Sequence, residues 1–244
     1  GRTEPQREVA TPEEAAARAR ELLDAGADGI KVYAATWSGE PVSMPQPVIA
    51  AVAAEVHPRG KLLFAHPSNA AGLQAALAGG ADVLVHTAPN MESWNDSLVG
   101  RMVQRGVVLV PTLKLWRYET RSARLRFSRQ FVEAGVEELR SFARGGGTVL
   151  FGTDVGYMQD YDPSEEYALM ARAGMSFPQI LASLTINPAR RFGLADRSGR
   201  VAAGMDADLV VLEGDPARDV RALAGVRYTV RQGRIIYRRE SHRP

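Results

Sequence analysis

The sequence contains no cysteine among its 244 residues. Disulfide bonds and thiolate metal sites are therefore excluded. It also lacks an apolar run of about 18 residues, so no membrane-spanning helix is predicted. No signal peptide is visible, and the compartment is left unknown. Hydrophobic residues make up 45% and charged residues 24% of the chain, shares typical of a soluble globular protein.

Two catalytic motifs are missing as well. No G-x-S-x-G pattern occurs, which argues against a serine nucleophile elbow. The glycine run at 145–147 precedes an apolar segment instead of following one, so it does not predict a phosphate-binding loop. The net charge is only +2, and the basic stretch 121–129 is interpreted as a solvated helix face. We therefore expect no nucleic-acid partner, and the absence of a long apolar run predicts no membrane partner.

Helical patterns alternate with short apolar runs along most of the chain. Thr11 can cap the first helix, Pro12 suits its first position, and Gly26 ends it. Five apolar runs each follow a helical pattern: GIKVY, KLLFAH, ADVLVH, VVLVP and TVLFGTD. Because these runs are continuous and not alternating, they predict strands buried on both faces of a parallel sheet covered by helices.

The pattern changes after residue 195. Short alternating strands there flank Gln232-Gly233, a plausible hairpin turn. We therefore predict an α/β domain over 1–195 and a β segment over 196–244. Three long loops, at 34–44, 88–96 and 112–130, follow predicted strands, where α/β sites are built.

Four polar residues lie in or at the ends of the apolar runs: Lys31, His66, His86 and Asp154. Singly, a histidine there can be structural, an aspartate can cap a helix, and a lysine can reach the rim. Because parallel strands bring their carboxyl ends together, the set favours a metal site. A buried Lys31 would need a partner or would have to lose its charge. His57, at the opposite end, is interpreted as structural.

Four further residues are candidates for substrate binding. Tyr33 shares a strand face with Lys31, since side chains alternate. Lys114 could pair with a substrate carboxylate or be a surface charge. Trp116 and Tyr157 follow strand ends, where they could contact substrate or cover the sheet.

Several stretches together resemble the amidohydrolase superfamily, in its imidazolonepropionase-like and prolidase-like branch. They are AGADGIKVY, KLLFAHPSN, GGADVLVHTAP, GVVLVPTL, VLFGTDVG, ILASLTINPARRFGL and GRVAAGMDADLVVLEGDP, spread over about 12–237. The resemblance implies a TIM-type (β/α)8 barrel followed by part of a β-sandwich. It also implies a small-molecule substrate, whose amide, cyclic amide, dipeptide or related ester bond is hydrolysed by metal-activated hydroxide.

The same resemblance assigns roles to the strand-end residues. Lys31, on strand four, would be carboxylated by CO2 to a carbamate that bridges two divalent ions. His66 and His86, on strands five and six, would bind one ion. Asp154, on strand eight, would bind the other and shuttle the proton. Zinc is predicted by ligand type, with manganese, cobalt or iron as alternatives and one or two ions bound.

The sequence departs from the family pattern at its start. The His-x-His pair of strand one is absent, and five strands are counted where a barrel has eight. The chain is therefore interpreted as the C-terminal portion of a larger, truncated enzyme. An open sheet predicts association, as a homo-oligomer or with a complementing N-terminal chain. The alternative function is a catalytically incomplete fragment that acts as a binding or assembly module.

Overall fold

The computed structural model describes residues 9–34, 44–89 and 94–240. Contacts within the chain define two compact units, Gly1–Leu109 and Val110–Pro244. The predicted boundary after residue 195 stays a prediction. The predicted loop at 34–44, with Trp37, and the centre of the loop at 88–96 lie outside the described residues.

The first unit alternates helices and strands as predicted. Its elements are α1 (Pro12–Asp24), β1 (Gly29–Ala34), α2 (Gln46–Val56), a 3-10 turn (His57–Arg59), β2 (Leu62–Pro67), α3 (Ala70–Ala78), β3 (Val83–Val85), α4 (Asp96–Gln104) and β4 (Val108–Val110). The strands form one sheet in the order β1-β2-β3-β4, and the β1–β2 and β2–β3 pairs are parallel. The helices between them are the crossover connections that parallel pairing requires.

Side-chain caps fix where three of these helices begin. The Thr11 hydroxyl accepts a 3.2 Å bond from the Glu14 N–H, which confirms the predicted start of α1. The Asn69 side chain accepts from the Gly72 N–H at 2.7 Å, and that of Asn95 caps α4. Each cap satisfies an N–H that has no partner within its own helix.

The prediction that strands are buried on both faces is wrong for β1. Ile30, Val32 and Ala34 are buried, whereas Lys31 is exposed and Tyr33 is half-buried. Because side chains alternate along a strand, one face packs into the core of this unit and the other is more accessible. β2 is closer to the prediction, since only Leu62 and Phe64 are half-buried.

The second unit departs from two predictions. The predicted loop at 112–130 contains α5 and the start of α6, and 148–154 contains no named strand. The chain there is held by bonds of 3.0 Å from the Phe151 N–H to the Ser183 carbonyl and from the Asn187 amide to the Val149 carbonyl. Its helices are α5 (Leu113–Glu119), α6 (Leu125–Arg144), α7 (Ser164–Arg172), α8 (Phe177–Leu184) and α9 (Ile186–Arg191).

The chain after α9 forms a small antiparallel sheet. It comprises β5 (Leu209–Leu212), a 3-10 turn (Val220–Ala224), β6 (Val226–Arg231) and β7 (Arg234–Arg238), in the order β5-β6-β7. Gln232 and Gly233 have φ of 50° and 75°, the backbone that a two-residue hairpin turn needs, so this hairpin is confirmed. Ile235 and Ile236, which point to opposite faces, are both 63% exposed. In the described ranges, no helix is both long and apolar enough to cross a bilayer.

Candidate metal centre

The register of β1 and β2 brings Tyr33 beside His66. Tyr33 pairs with His66 and Lys31 with Phe64, so these side chains lie on the same face of the sheet. The Tyr33 and His66 ring centroids are 5.5 Å apart, and the Lys31 Nζ lies 5.0 Å from the Tyr33 ring centroid. The parallel register therefore collects three of the predicted site residues.

His66 and His86 form the centre of this cluster. Their ring centroids are 4.4 Å apart, with an angle of 73° between the planes. His66 is 7% exposed and His86 1% exposed. His86 follows directly after β3 and has a left-handed backbone, with φ of 79°. Such a conformation is uncommon for a residue other than glycine and turns the chain sharply at the strand end.

Both imidazoles are neutral at physiological pH. Burial, reinforced by the positive charge of Lys31, lowers the pKa of His66 to about 4. Burial also holds the pKa of His86 well below its usual value, with smaller contributions from His66 and Lys31. A neutral imidazole keeps a lone pair on one ring nitrogen, which is the form that binds a metal ion.

The exposure of Lys31 corrects one expectation. The sequence predicted a buried ammonium that would need a partner or would have to lose its charge, but the side chain is exposed beside the Tyr33 ring. Solvent can hydrate the charge, so burial does not force its removal. Carboxylation of Lys31 stays a prediction.

Asp154 lies in the second unit, in a tight turn. It is half-buried and has a left-handed φ of 61°. Its backbone carbonyl accepts a 3.1 Å bond from the Met158 N–H, and the Gly156 N–H donates to the Met158 carbonyl. This turn fixes the backbone that carries the carboxylate. The metal-binding and proton-shuttling roles of Asp154 stay predictions.

The side chains of this cluster supply only part of a ligand set for a divalent ion. Within the part of the chain that the structure describes, no three His, Cys, Asp or Glu side chains form a group able to hold a metal. His66 and His86 supply two neutral nitrogen ligands, whereas zinc usually takes four ligands. An oxygen from a carbamate on Lys31 would be chemically suitable as another. The donor types thus fit a divalent ion, although the described protein ligands are fewer than a complete site needs.

Lys114 is buried among oxygens of the protein's own chain. Its side chain is 3% exposed, and Nζ donates to the carbonyls of Asp162, at 2.6 Å, and Asp160, at 3.3 Å. Nζ also lies 2.9 Å from the Asp160 carboxylate. In this arrangement the ammonium holds the segment between Asp154 and α7, a contact that the sequence did not predict.

The two aromatic candidates lie in the same unit. Trp116 packs edge-on against Phe131, with centroids 5.6 Å apart. Tyr157 is 53% exposed, and its hydroxyl donates a 2.8 Å bond to the Glu119 carboxylate. That bond, together with partial desolvation, raises the pKa of Tyr157 to about 12. Substrate contact by either residue stays a prediction.

Sequence reasoning missed Glu166. Its side chain is fully buried and accepts 2.8 Å bonds from the N–H groups of Leu113 and Lys114, the first two residues of α5. Thr112 precedes α5 with a left-handed φ of 47° and provides no side-chain cap, so Glu166 caps this helix from α7. Burial raises the pKa of Glu166 to about 7. Glu165 and Glu166 are adjacent, and the sequence offered no signal that only one would be buried.

His57 is structural, as predicted, although its partner is not a helix end. Its Nε2 lies 3.0 Å from a carboxylate oxygen of Asp82, and the same oxygen accepts a 2.8 Å bond from the Leu63 N–H. This histidine therefore stabilises the start of β2.

The parallel sheet, its crossover helices and the polar strand ends define an α/β fold consistent with a TIM-type barrel. The model of the amidohydrolase family matches residues 2–236. The chain belongs to the amidohydrolase family.

Similar proteins place the chain in the imidazolonepropionase-like and prolidase-like branch. Imidazolonepropionase of Thermoplasma acidophilum is 39% identical over 71 residues, which are 28% of this chain and 17% of that protein. A Xaa-Pro dipeptidase crystal structure with bound methionine is similar, with a TM-score of 0.83 and 23% identity over 94% of this chain and 59% of that one. The crystal structure of a candidate prolidase from Bifidobacterium longum is also similar, with a TM-score of 0.83 and 26% identity. The match covers 98% of this chain and 63% of that one. The chain thus spans about three fifths of these solved structures.

Proposed function

We propose that the chain takes part in metal-dependent hydrolysis of C–N bonds in a small amide, with a dipeptide or a cyclic amide as the substrate class. Membership of the amidohydrolase family supports the reaction type. The substrate classes are suggested by the names of the similar dipeptidase and imidazolonepropionase.

The observation that carries the proposal is the His66–His86 pair. These two buried imidazoles have lowered pKa values, and their ring centroids lie 4.4 Å apart at the ends of parallel strands, beside Lys31. His66 and His86 would hold the ion, and a carbamate on Lys31 would add an oxygen ligand. Zinc is favoured by these donors, with manganese, cobalt or iron as alternatives. When bound, a divalent ion acidifies water and polarises the carbonyl group under attack.

Side chains of the protein would carry out proton transfer and substrate binding. The Asp154 carboxylate would accept the proton of the attacking water and deliver it to the leaving nitrogen. Tyr33, whose ring lies against His66, would orient the substrate at the sheet. Lys114, Trp116 and Tyr157 would contribute to the substrate pocket, Lys114 by fixing the segment that follows Asp154.

The test is hydrolysis of Xaa-Pro dipeptides, N-acyl amino acids and cyclic amides by the chain loaded with zinc, manganese or cobalt. Asp154→Asn should lower kcat by about 100-fold or more, since general acid–base catalysis contributes about that much. Asp196→Asn, a matched change at an exposed aspartate, should leave kcat unchanged. Equal kcat values for Asp154→Asn and the parent would reject the proton shuttle.

The second candidate is a binding or assembly module that needs more chain for activity. It is supported by the exposed Lys31 face of β1 and by the incomplete ligand set in the described residues. A homo-oligomer or a complementing N-terminal chain would cover that face. Light scattering coupled to size-exclusion chromatography measures the mass of the particle in solution and so shows whether the chain associates. A monomer with metal-dependent turnover would reject this candidate.

A further inference from the structure

Helices α5, α6 and α7 border an open surface cavity of about 440 Å³, whose charged lining residues are exposed. That volume lies within the range of about 300–1,000 Å³ that small-molecule sites occupy. We call it the arginine cavity, and its lining consists of Arg117, Ser128, Arg129, Val132, Glu133 and Arg172. A second cavity of about 320 Å³ shares Arg117 and Arg172 and adds Arg221 and Glu165. Three of the six residues that line the arginine cavity are therefore cationic, and its volume is large enough for a metabolite.

The charge of this cavity is positive. Three guanidinium groups and one carboxylate belong to its lining. Glu165 pairs with Arg117 beside the lining and brings the local formal charge to +1. A concave surface that concentrates one sign of charge raises the local concentration of the opposite ion. The electrostatics thus select for an anion.

Ion pairs position two of the guanidinium groups. Arg117 on α5 pairs with Glu165 on α7 at 2.7 Å, and Arg172 on α7 pairs with Glu133 on α6. A guanidinium carries five N–H donors, and one carboxylate uses at most two of them. Each arginine therefore keeps donors for a further acceptor.

Arg129 adds a third guanidinium to the lining. It lies on α6, one turn before Glu133, and has no ion pair among the residues that the structure describes. Its charge is consequently the one in the arginine cavity least compensated by the protein itself.

We infer that the arginine cavity binds a small, multiply charged anion that carries phosphate or carboxylate groups. Planar guanidinium groups match both kinds of oxyanion, often through two parallel hydrogen bonds. The site is independent of the proposed hydrolase chemistry. Its occupancy would hold α5, α6 and α7 together and stabilise the folded chain by mass action.

Isothermal titration calorimetry on the chelator-treated chain tests this inference, with inorganic pyrophosphate and citrate as probes at constant ionic strength. At least one probe should bind at one site per chain. Arg129→Gln and Arg172→Gln should each weaken that binding about tenfold, because each removes charge-assisted hydrogen bonds. Arg126→Gln, an exposed arginine of α6 outside the lining, is the matched control and should bind like the parent. Binding of pyrophosphate alone would identify a phosphorylated ligand, and binding of citrate alone a polycarboxylate.

Three results would overturn the inference: no binding of either probe by the parent, equal losses in Arg126→Gln and Arg129→Gln, or loss of binding in His66→Ala. The last result would assign the anion to the candidate metal centre. If Arg172→Gln fails to fold because its pair with Glu133 is lost, Arg129→Gln decides, since it breaks no described ion pair. Arg129→Lys should give an intermediate affinity, because it keeps the charge and loses the planar fork.

Discussion

The carboxylate of Glu166 accepts a 2.8 Å hydrogen bond from the backbone N–H of Leu113, at the first position of α5. The second carboxylate oxygen accepts from the next N–H, that of Lys114, at the same distance. A buried acid thus satisfies two donors that the helix itself leaves without partners. Two effects on its pKa oppose each other here, because burial raises it and the two N–H bonds lower it, and burial dominates.

Glu166 should make stability depend on pH. Its pKa in the folded chain, about 7, lies above the ordinary value of 4.5, so folding favours the protonated acid. The stability that Glu166 contributes is therefore fully present below 4.5 and is lost as the pH rises through about 7. Relative to Glu166→Gln, which does not titrate, the parent should lose up to about 3 kcal/mol of unfolding free energy across this window.

Urea unfolding followed by circular dichroism over this pH range measures the effect. Glu165→Gln is the control, because Glu165 is adjacent but half-buried and pairs with Arg117 on the surface. The difference in unfolding free energy between Glu165→Gln and the parent should not change between pH 4.5 and about 7. A parent–Glu166→Gln difference that stays constant with pH would contradict the assigned pKa.

Lys114 should stabilise the segment that follows Asp154. Lys114→Met keeps the apolar stem but leaves the carbonyls of Asp160 and Asp162 without the ammonium donor. We expect a loss of about 1.5–3 kcal/mol, the usual contribution of hydrogen bonds to a charged group. Faster proteolytic cleavage between Val155 and Asp162 should accompany it. Lys61→Met, at a half-buried lysine paired with Asp28, should change neither quantity. Unchanged cleavage in Lys114→Met would show that the ammonium does not hold this segment.

His66→Ala should remove metal binding. The substitution deletes one of two neighbouring imidazoles, and losing a ligand of a metal site typically lowers affinity severely. Zinc content by mass spectrometry after dialysis, with and without bicarbonate, is the measurement. The control is His57→Gln, which changes a half-exposed histidine bonded to Asp82. If the parent and His66→Ala retain the same zinc content, the ion binds elsewhere.

Gly72 should not tolerate a side chain. A Cβ at this position would lie 2.0 Å from the carbonyl oxygen of Ala34, at the end of β1. Gly72→Ala should therefore cost about 1–3 kcal/mol, as forced overpacking does. Gly100→Ala is the matched control, because a Cβ there meets nothing within 4 Å inside helix α4. Gly100→Ala should raise the unfolding free energy by about 0.5–1 kcal/mol. Thermal unfolding of both variants is the measurement, and a stabilised Gly72→Ala or a destabilised Gly100→Ala would contradict the prediction.

The sequence predicted those elements whose cause is local. The Thr11 cap, the stop at Gly26 and the Gln232-Gly233 hairpin depend on a few neighbouring residues, and all three are present. The first four strands were also predicted, because each is an apolar run between a helix end and a polar residue. The predicted strand at 148–154 has the same composition but forms no named strand, since strand pairing depends on distant partners.

For the candidate site, the sequence predicted that His66 and His86 lie close together, and the roles of the site residues stay predictions. Strand ends of a parallel sheet meet at one edge, so the pairing of His66 with His86 followed from topology. The exposure of Lys31 did not follow, because it depends on what covers the second face of β1. Glu166 and Lys114 escaped prediction for a similar reason, since their partners are backbone atoms far away in sequence.

Four described positions that follow strands or strand-like segments have a left-handed backbone without being glycine: His86, Thr112, Asp154 and Gln232. Each side chain there costs about 1 kcal/mol relative to glycine. Mutation without selection on chemistry would replace such residues by glycine or asparagine, because those changes stabilise the fold. Under the proposed function, relatives of this chain that do not hydrolyse amides should therefore carry glycine or asparagine more often at the half-buried Asp154 than relatives that do, whereas glycine at the buried His86 would leave a cavity.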